Sequence, residues 1–267
     1  MLRHAGATDE TTMLRAHLDT CKNCWGRWNR YRWDQAVDTA VYRDLETFLG
    51  PRFVRYLDSS LILAHEWEKA APGTQEQIAQ FFRTSDAYLY NLIIWEASGN
   101  RPPYIRAAAP NLIQMSSELV MDYGSGTGSD TLALRSLGFQ VTPCDYASPA
   151  TRFFQWRARR LGQPTDVHEP HELYLAPKPD TLWIIDTIDH LPDIDTSLGQ
   201  ILDDVSIVIC EDITPDRAHG KQGFHHRRSL QEIADIFRRY DLYPAPHHDP
   251  QHPLIYWKRR HLRASIT

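Results

Sequence analysis

Cysteine is scarce in this chain: the 267 residues contain four, at positions 21, 24, 144 and 210. Two lie close together and two are isolated, so the disulfide framework of a small secreted domain is excluded and reduced thiols are expected. No apolar run approaches the roughly 20 residues needed to span a bilayer. The opening Met1-Leu-Arg-His-Ala-Gly leads into polar residues rather than an apolar secretory segment. No membrane partner is expected, and a cytoplasmic location is the default. Positive charge is not in excess either. Lys and Arg total 29 against 34 Asp and Glu, a formal net charge of -5, so no nucleic-acid partner is expected without a local basic patch. Internal repeats and low-complexity tracts are also absent.

What the chain does have is apolar material: 42% hydrophobic residues, with eight Trp and twelve Tyr, enough for a substantial core. Its pattern changes part-way along. Between about Arg15 and Leu112 apolar residues recur at three- and four-residue steps, as in Val37, Val41, Leu45 and Phe48, or Ile78, Phe81 and Phe82 before Leu89, Ile93 and Ile94. Several packed helices are expected there, broken at Gly50-Pro51, Ala71-Pro72-Gly73 and Ser98 to Pro103. Trp67, Tyr88, Tyr90 and Trp95 fall on these helical stretches and read as core.

Beyond a boundary near 115, short apolar runs alternate with amphipathic stretches. Strands are expected at Leu119–Met121, Gln140–Cys144, near Asp166, at Thr181–Ile185, Ser206–Cys210, Asp241–Tyr243 and Leu254–Trp257. Helices are expected at Thr131–Leu137, Pro149–Leu161, Ile194–Leu202 and Ser229–Tyr240. Such alternation implies an α/β fold, a parallel sheet covered by helices on both faces. The organisation expected is a helical region, 1–115, followed by an α/β domain, 116–267.

In an open parallel sheet the ligand sits beyond the carboxyl ends of the strands. The first strand runs into Asp122-Tyr123-Gly124-Ser125-Gly126-Thr127-Gly128, where glycines let the backbone turn sharply and approach a ligand. The spacing is G-x-G-x-G. A dinucleotide fingerprint, G-x-G-x-x-G, would place its third glycine at Ser129, which demotes a nicotinamide-dependent reading. The second strand ends in Asp145-Tyr146, and the fourth runs into Asp186-Thr-Ile-Asp189-His190-Leu-Pro-Asp193.

These three segments, in this order, resemble the motifs of class I S-adenosylmethionine-dependent methyltransferases, over roughly residues 117 to 258. The last resembles the D-x-x-E-H-L-P-D segment of small-molecule methyltransferases of the ubiquinone-biosynthesis type, with Asp189 in place of the usual Glu. The resemblance implies a Rossmann-like sheet, here preceded by the all-helical region that the periodicity indicates, S-adenosylmethionine as cofactor, and methyl transfer to a small-molecule acceptor. It implies donor-site roles for Asp122, Tyr123, Gly124, Ser125, Gly126, Gly128, Asp145, Tyr146, Asp186 and Asp189, with Asp145 accepting from the ribose hydroxyls.

Methyl transfer from a sulfonium needs alignment and exclusion of water more than a nucleophilic side chain. An acceptor hydroxyl, amine or acidic carbon calls for a base, for which the candidates near strand ends are His190, His225 and His226. His190 reads either as a base or as a residue orienting the loop beside the donor. His225 and His226, within Gly220-Lys-Gln-Gly-Phe-His-His-Arg-Arg228, read as a pocket cap, an anion contact or a solvated loop.

Near the N-terminus, His17, Cys21 and Cys24 stand at H-x3-C-x2-C, a spacing that shares one face of a helix. The segment resembles the zinc signature of zinc-associated anti-sigma factors, which implies a structural zinc whose fourth ligand comes from upstream, where only His4 is available. A second reading follows: a zinc-containing regulatory or binding protein that keeps a donor-binding fold without catalysis. Arg101-Pro-Pro-Tyr104 is similar to the D/N-P-P-Y motif of DNA adenine methyltransferases, but arginine cannot accept a hydrogen bond from an amino group. That segment reads as a linker or pocket wall.

Overall fold

The structure, a computed structural model, describes residues 21–55, 59–98, 104–211, 225–226, 228–245 and 254–260. Among these residues six helices come first: α1 (Lys22–Ala36), α2 (Ala40–Leu49), α3 (Ser59–Ala70), α4 (Gln75–Thr84), α5 (Asp86–Ala97) and α6 (Tyr104–Gln114). Hydroxyl caps punctuate them. Thr39 accepts from the Tyr42 amide, Thr74 forms a reciprocal capping box with Gln77, and Ser85 both ends α4 and caps α5 through the Tyr88 amide, so donors left over at each helix start are satisfied. Gly50-Pro51 becomes a short 3-10 turn. Among the described residues no helix is long and apolar enough to cross a membrane.

The α/β part consists of β1 (Leu119–Tyr123), α7 (Ser129–Ser136), β2 (Gln140–Cys144), α8 (Pro149–Arg160), β3 (Thr181–Ile184), α9 (Ile194–Asp204), β4 (Ile207–Glu211), α10 (Leu230–Arg238), β5 (Leu242–Pro244) and β6 (Leu254–Arg259). The sheet order is β2-β1-β3-β4-β6-β5. Successive side chains of one strand feed opposite faces. Met121, Leu182, Ile184 and Val208 pack under Leu198, Leu202, Ile233 and Phe237 of α9 and α10. Val120, Trp183, Ile207 and Ile209 pack against Tyr104, Ala108 and Leu112 of α6. Helices α1, α2 and α5 share a further core with Ala150 and Phe153 of α8.

Two expectations need correction. The sheet is not wholly parallel: β1 to β4 run parallel, while β6 pairs antiparallel with both β4 and β5. Residues 245–253 are too few for the crossover of about a dozen residues that a parallel return needs. The strand expected near Asp166 is a single bridge between Cys144 and His168. Pro170 opens a 3-10 turn two residues later and ends the pairing.

Candidate functional site

The connection β1 to β2 runs to one side of β1 and the connection β2 to β3 to the other, so the chain reverses its winding direction at β1. A cavity of about 800 Å³, its open mouth included, lies over the carboxyl ends of these three strands. Tyr123 and Gly124 line it from β1, Asp145 and Tyr146 from β2, and Asp186 and Thr187 from β3. This is where open α/β sheets place their ligands.

The glycine loop folds onto the end of β2. Amides of Gly124 and Ser125 donate to the Cys144 carbonyl at 2.8 and 3.1 Å, and the Gly126 amide donates to Asp145 Oδ2 at 2.7 Å. The glycines at 124 and 128 are needed for packing as well as for their left-handed backbone. A Cβ on Gly124 would lie 2.1 Å from Thr187 Oγ1, and one on Gly128 would lie 2.0 Å from Phe154 Cδ2. The space a side chain would fill at these two positions therefore holds protein, where the sequence suggested ligand. Asp122 is buried and accepts from Thr131 Oγ1 at 2.5 Å, which ties β1 to α7.

Asp145 carries the electrostatics of this wall. Besides Gly126, its Oδ1 accepts from the Tyr146 amide at 2.6 Å. Burial pushes its pKa up to about 6 against these two hydrogen bonds, with the nearby charge of Glu169 adding to the rise. Arg83 sits 4.9 Å above the Tyr146 ring and pairs with Glu169 at 2.6 Å, which holds Tyr146 at the cavity edge. At the end of β4, Glu211 accepts from the Tyr104 hydroxyl at 2.8 Å. Burial holds Glu211 well above the usual carboxylate range, followed by the charge of Asp186 and the hydrogen bond shared with it.

The facing wall is assembled from distant segments. Gln75, Ile78 and Phe82 project from one face of α4, Tyr88 comes from α5, and His190, Leu191 and Pro192 come from the loop after β3. The Phe82 ring meets His190 edge-on at 5.8 Å and Tyr88 at 5.0 Å. His190 is partly buried, and burial lowers its pKa to about 4. Behind it, Asp189 Oδ2 lies 2.6 Å from His225 Nδ1. Burial opposes ionisation of Asp189, but the neighbouring His190 imidazole and the His225 hydrogen bond outweigh it and bring the pKa below the usual value. The His226 amide donates to the Asp189 carbonyl at 2.6 Å. Arg228 donates to the carbonyls of Ile188, Leu191 and Pro192.

Of the residues singled out from sequence, Tyr123, Gly124, Asp145, Tyr146, Asp186 and His190 line the cavity; Asp122, Ser125, Gly126, Gly128, Asp189, His225 and His226 do not. Tyr88 is a cavity residue instead of pure core, and Gln75, Ile78, Phe82 and Thr187 were not foreseen. The three on α4 follow an i, i+3, i+7 pattern, which was visible but cannot tell a cavity face from a core face. Of the candidate zinc ligands, His17 lies outside the described residues. Cys21 is the cap residue before α1 and Cys24 lies in its first turn. Hydrogen bonds from the Cys24 amide and then the Cys24 thiol lower the pKa of Cys21, and the bond between the thiols raises that of Cys24.

No family model matches the chain, and no curated protein matches it in sequence. Solved structures resemble it in fold. An S-adenosylmethionine-dependent methyltransferase from Clostridium acetobutylicum ATCC 824 superposes with a TM-score of 0.51 at 10% identity, covering 64% of this chain and 97% of that one. For a magnesium protoporphyrin IX methyltransferase from Synechocystis PCC 6803 with bound SAH the values are 0.48 and 14%, covering 80% and 99%. An O-methyltransferase family protein from Burkholderia thailandensis gives 0.47 and 14%, covering 76% and 70%. The first of these likenesses shows a shared fold, a Rossmann-like sheet with helices on both faces.

Proposed function

We propose that this chain is an enzyme that transfers a methyl group from S-adenosylmethionine to a small-molecule acceptor. One observation carries the reading: the cavity lies over the carboxyl ends of β1, β2 and β3, with the Asp145 carboxylate on its wall beside the glycine loop. The fold shared with a methyltransferase of the same cofactor class supports it.

The residues present fit such a cofactor. Each Asp145 oxygen accepts one backbone amide, which leaves a lone pair on each for a ribose diol. A carboxylate whose burial raises its pKa to about 6 gains from two more donors, because hydrogen bonds to the charged form offset desolvation. Tyr123 and Gly124 border the same space. When bound, S-adenosylmethionine supplies a methyl group already activated on a sulfonium. The chain is left to align the acceptor and exclude water. Phe82, Tyr88 and Ile78 give the acceptor wall an apolar, aromatic character. His190, kept uncharged near neutrality by burial, lies on the same wall. In this reading residues 1–115 serve as the acceptor-side cover of a methyltransferase domain, 116–267.

Calorimetric titration of the full chain with S-adenosylmethionine and S-adenosylhomocysteine tests donor binding. Formation of S-adenosylhomocysteine with a panel of hydroxyl, amine and carbon acceptors tests turnover. Binding of both nucleosides with turnover of at least one acceptor is expected; affinity for neither would sink the proposal.

A further inference from the structure

Asp189, His190 and His225 bring one carboxylate and two imidazoles together so that their donor atoms all lie within 4.8 Å of one another. His225 Nδ1 is 2.6 Å from Asp189 Oδ2, and His190 Nε2 is 3.8 Å from Asp189 Oδ1. Asp189 Oδ1 is buried and has no hydrogen-bond partner among the described residues. A buried carboxylate oxygen left in that state is costly, and a cation satisfies it.

We propose that Asp189, His190 and His225 bind a divalent transition-metal ion whose open coordination positions face the cavity. Two imidazoles and one carboxylate suit the borderline metals, zinc, iron, cobalt and nickel among them, and three protein ligands leave room for further donors. Donors about 2.0–2.2 Å from such an ion lie roughly 3–3.5 Å from each other. The 2.6 and 3.8 Å separations bracket that range, and all three donor atoms lie within 4.8 Å of one another.

The surroundings hold the ligands in place, as metal sites require. The His226 amide on the Asp189 carbonyl and the Arg228 guanidinium on the Ile188, Leu191 and Pro192 carbonyls tie the His225 segment to the loop bearing the other two. The His190 and His225 rings are 4.5 Å apart, and Phe82 packs edge-on against His190. Because His190 lines the cavity while Asp189 and His225 do not, the exposed side of the ion points inward, toward the space where an acceptor's oxygen atoms would lie. Ion binding stands apart from methyl transfer; only this last assignment rests on that reading.

The test uses the full chain stripped of metal by a chelator and dialysed, then titrated with Co2+ while its d–d absorption is recorded. One equivalent is expected to bind, with absorption lacking thiolate charge transfer and unchanged in a Cys21→Ser/Cys24→Ser double variant. His225→Gln and the near-isosteric Asp189→Asn are each expected to weaken binding by at least roughly 10- to 100-fold, with melting curves showing that both fold. Absence of Co2+ bands, binding that survives both substitutions, or binding lost with the cysteine pair would overturn the site. Acetohydroxamate, a bidentate oxygen ligand, is expected to shift the bands; unmoved bands would refute open positions. S-adenosylhomocysteine titrated into the same samples separates this result from the fate of the methyl-transfer reading.

Discussion

The two walls of the cavity are built on different principles. The sheet-end wall is made largely by the backbone: in the loop between β1 and α7, the amides of Gly124, Ser125 and Gly126 end on Cys144 and Asp145 of the next strand's end. The facing wall is side chain on side chain, with Phe82 from α4 against His190 from the loop after β3 and His225 behind it. A wall of backbone hydrogen bonds and tight glycines suits a ligand that never changes, whereas a wall of packed side chains can be rebuilt by substitution for a new one. In the methyl-transfer reading the first holds the donor and the second selects the acceptor.

The largest effect is expected on the backbone wall. Gly128→Ala combines a left-handed backbone at φ 75° with a Cβ 2.0 Å from Phe154, and should cost roughly 2–5 kcal/mol from strain and overpacking together. Gly138→Ala, at φ 96° but with nothing within 4 Å, should cost only about 1–2 kcal/mol. Thermal unfolding of both variants measures the difference, and equal losses would mean that Phe154 yields freely.

Next in size, Asp145→Ala should weaken S-adenosylhomocysteine binding by about 1–3 kcal/mol, the scale of leaving buried hydroxyls unpaired, as read by calorimetry. Unchanged affinity would remove Asp145 from the donor wall. A smaller, graded effect follows with pH. Diol hydroxyls donate to the ionised carboxylate, so donor binding lowers the Asp145 pKa from its free value of about 6. Affinity should be level above that pH and decline below it, approaching about tenfold per unit; Glu169 and Tyr146 are the titratable neighbours acting on this group. Asp145→Asn should flatten the profile, and a decline that persists there would point to another group.

The smallest effect should separate the walls outright. Phe82→Leu keeps an apolar side chain and is expected to raise KM for the best acceptor of the panel severalfold, leaving donor affinity within about twofold. A loss shared equally by donor and acceptor would break the division between the two walls.

The same division governs how much could be read from sequence. The strand Gln140–Cys144 and the start of the helix at Pro149 appear in the structure as expected, because alternation, a serine cap and a proline are local signals. The G-x-G-x-G loop was equally visible, although its glycines at 124 and 128 answer to Thr187 and Phe154, partners 63 and 26 positions away that no spacing announces. Asp189 and His225 stand 36 residues apart, and only the fold juxtaposes them. Ile78 and Phe82 looked like core because a helix face aimed at a cavity carries the same residues as one aimed at a neighbour. The reversal of β6 depended on the shortness of a connection rather than on any residue within the strand.

The contact between Gly124 and Thr187 imposes an order on change. The positions belong to loops after different strands, yet they are not independent. Gly124→Ala made first drives its new methyl group into the threonine, while Thr187→Ala made first opens the space which that methyl group can then enter, leaving only the left-handed backbone to be borne. Any lineage or library that changes position 124 must therefore reckon with position 187, and a double-mutant cycle on this pair would show the two positions inheriting substitutions as one unit.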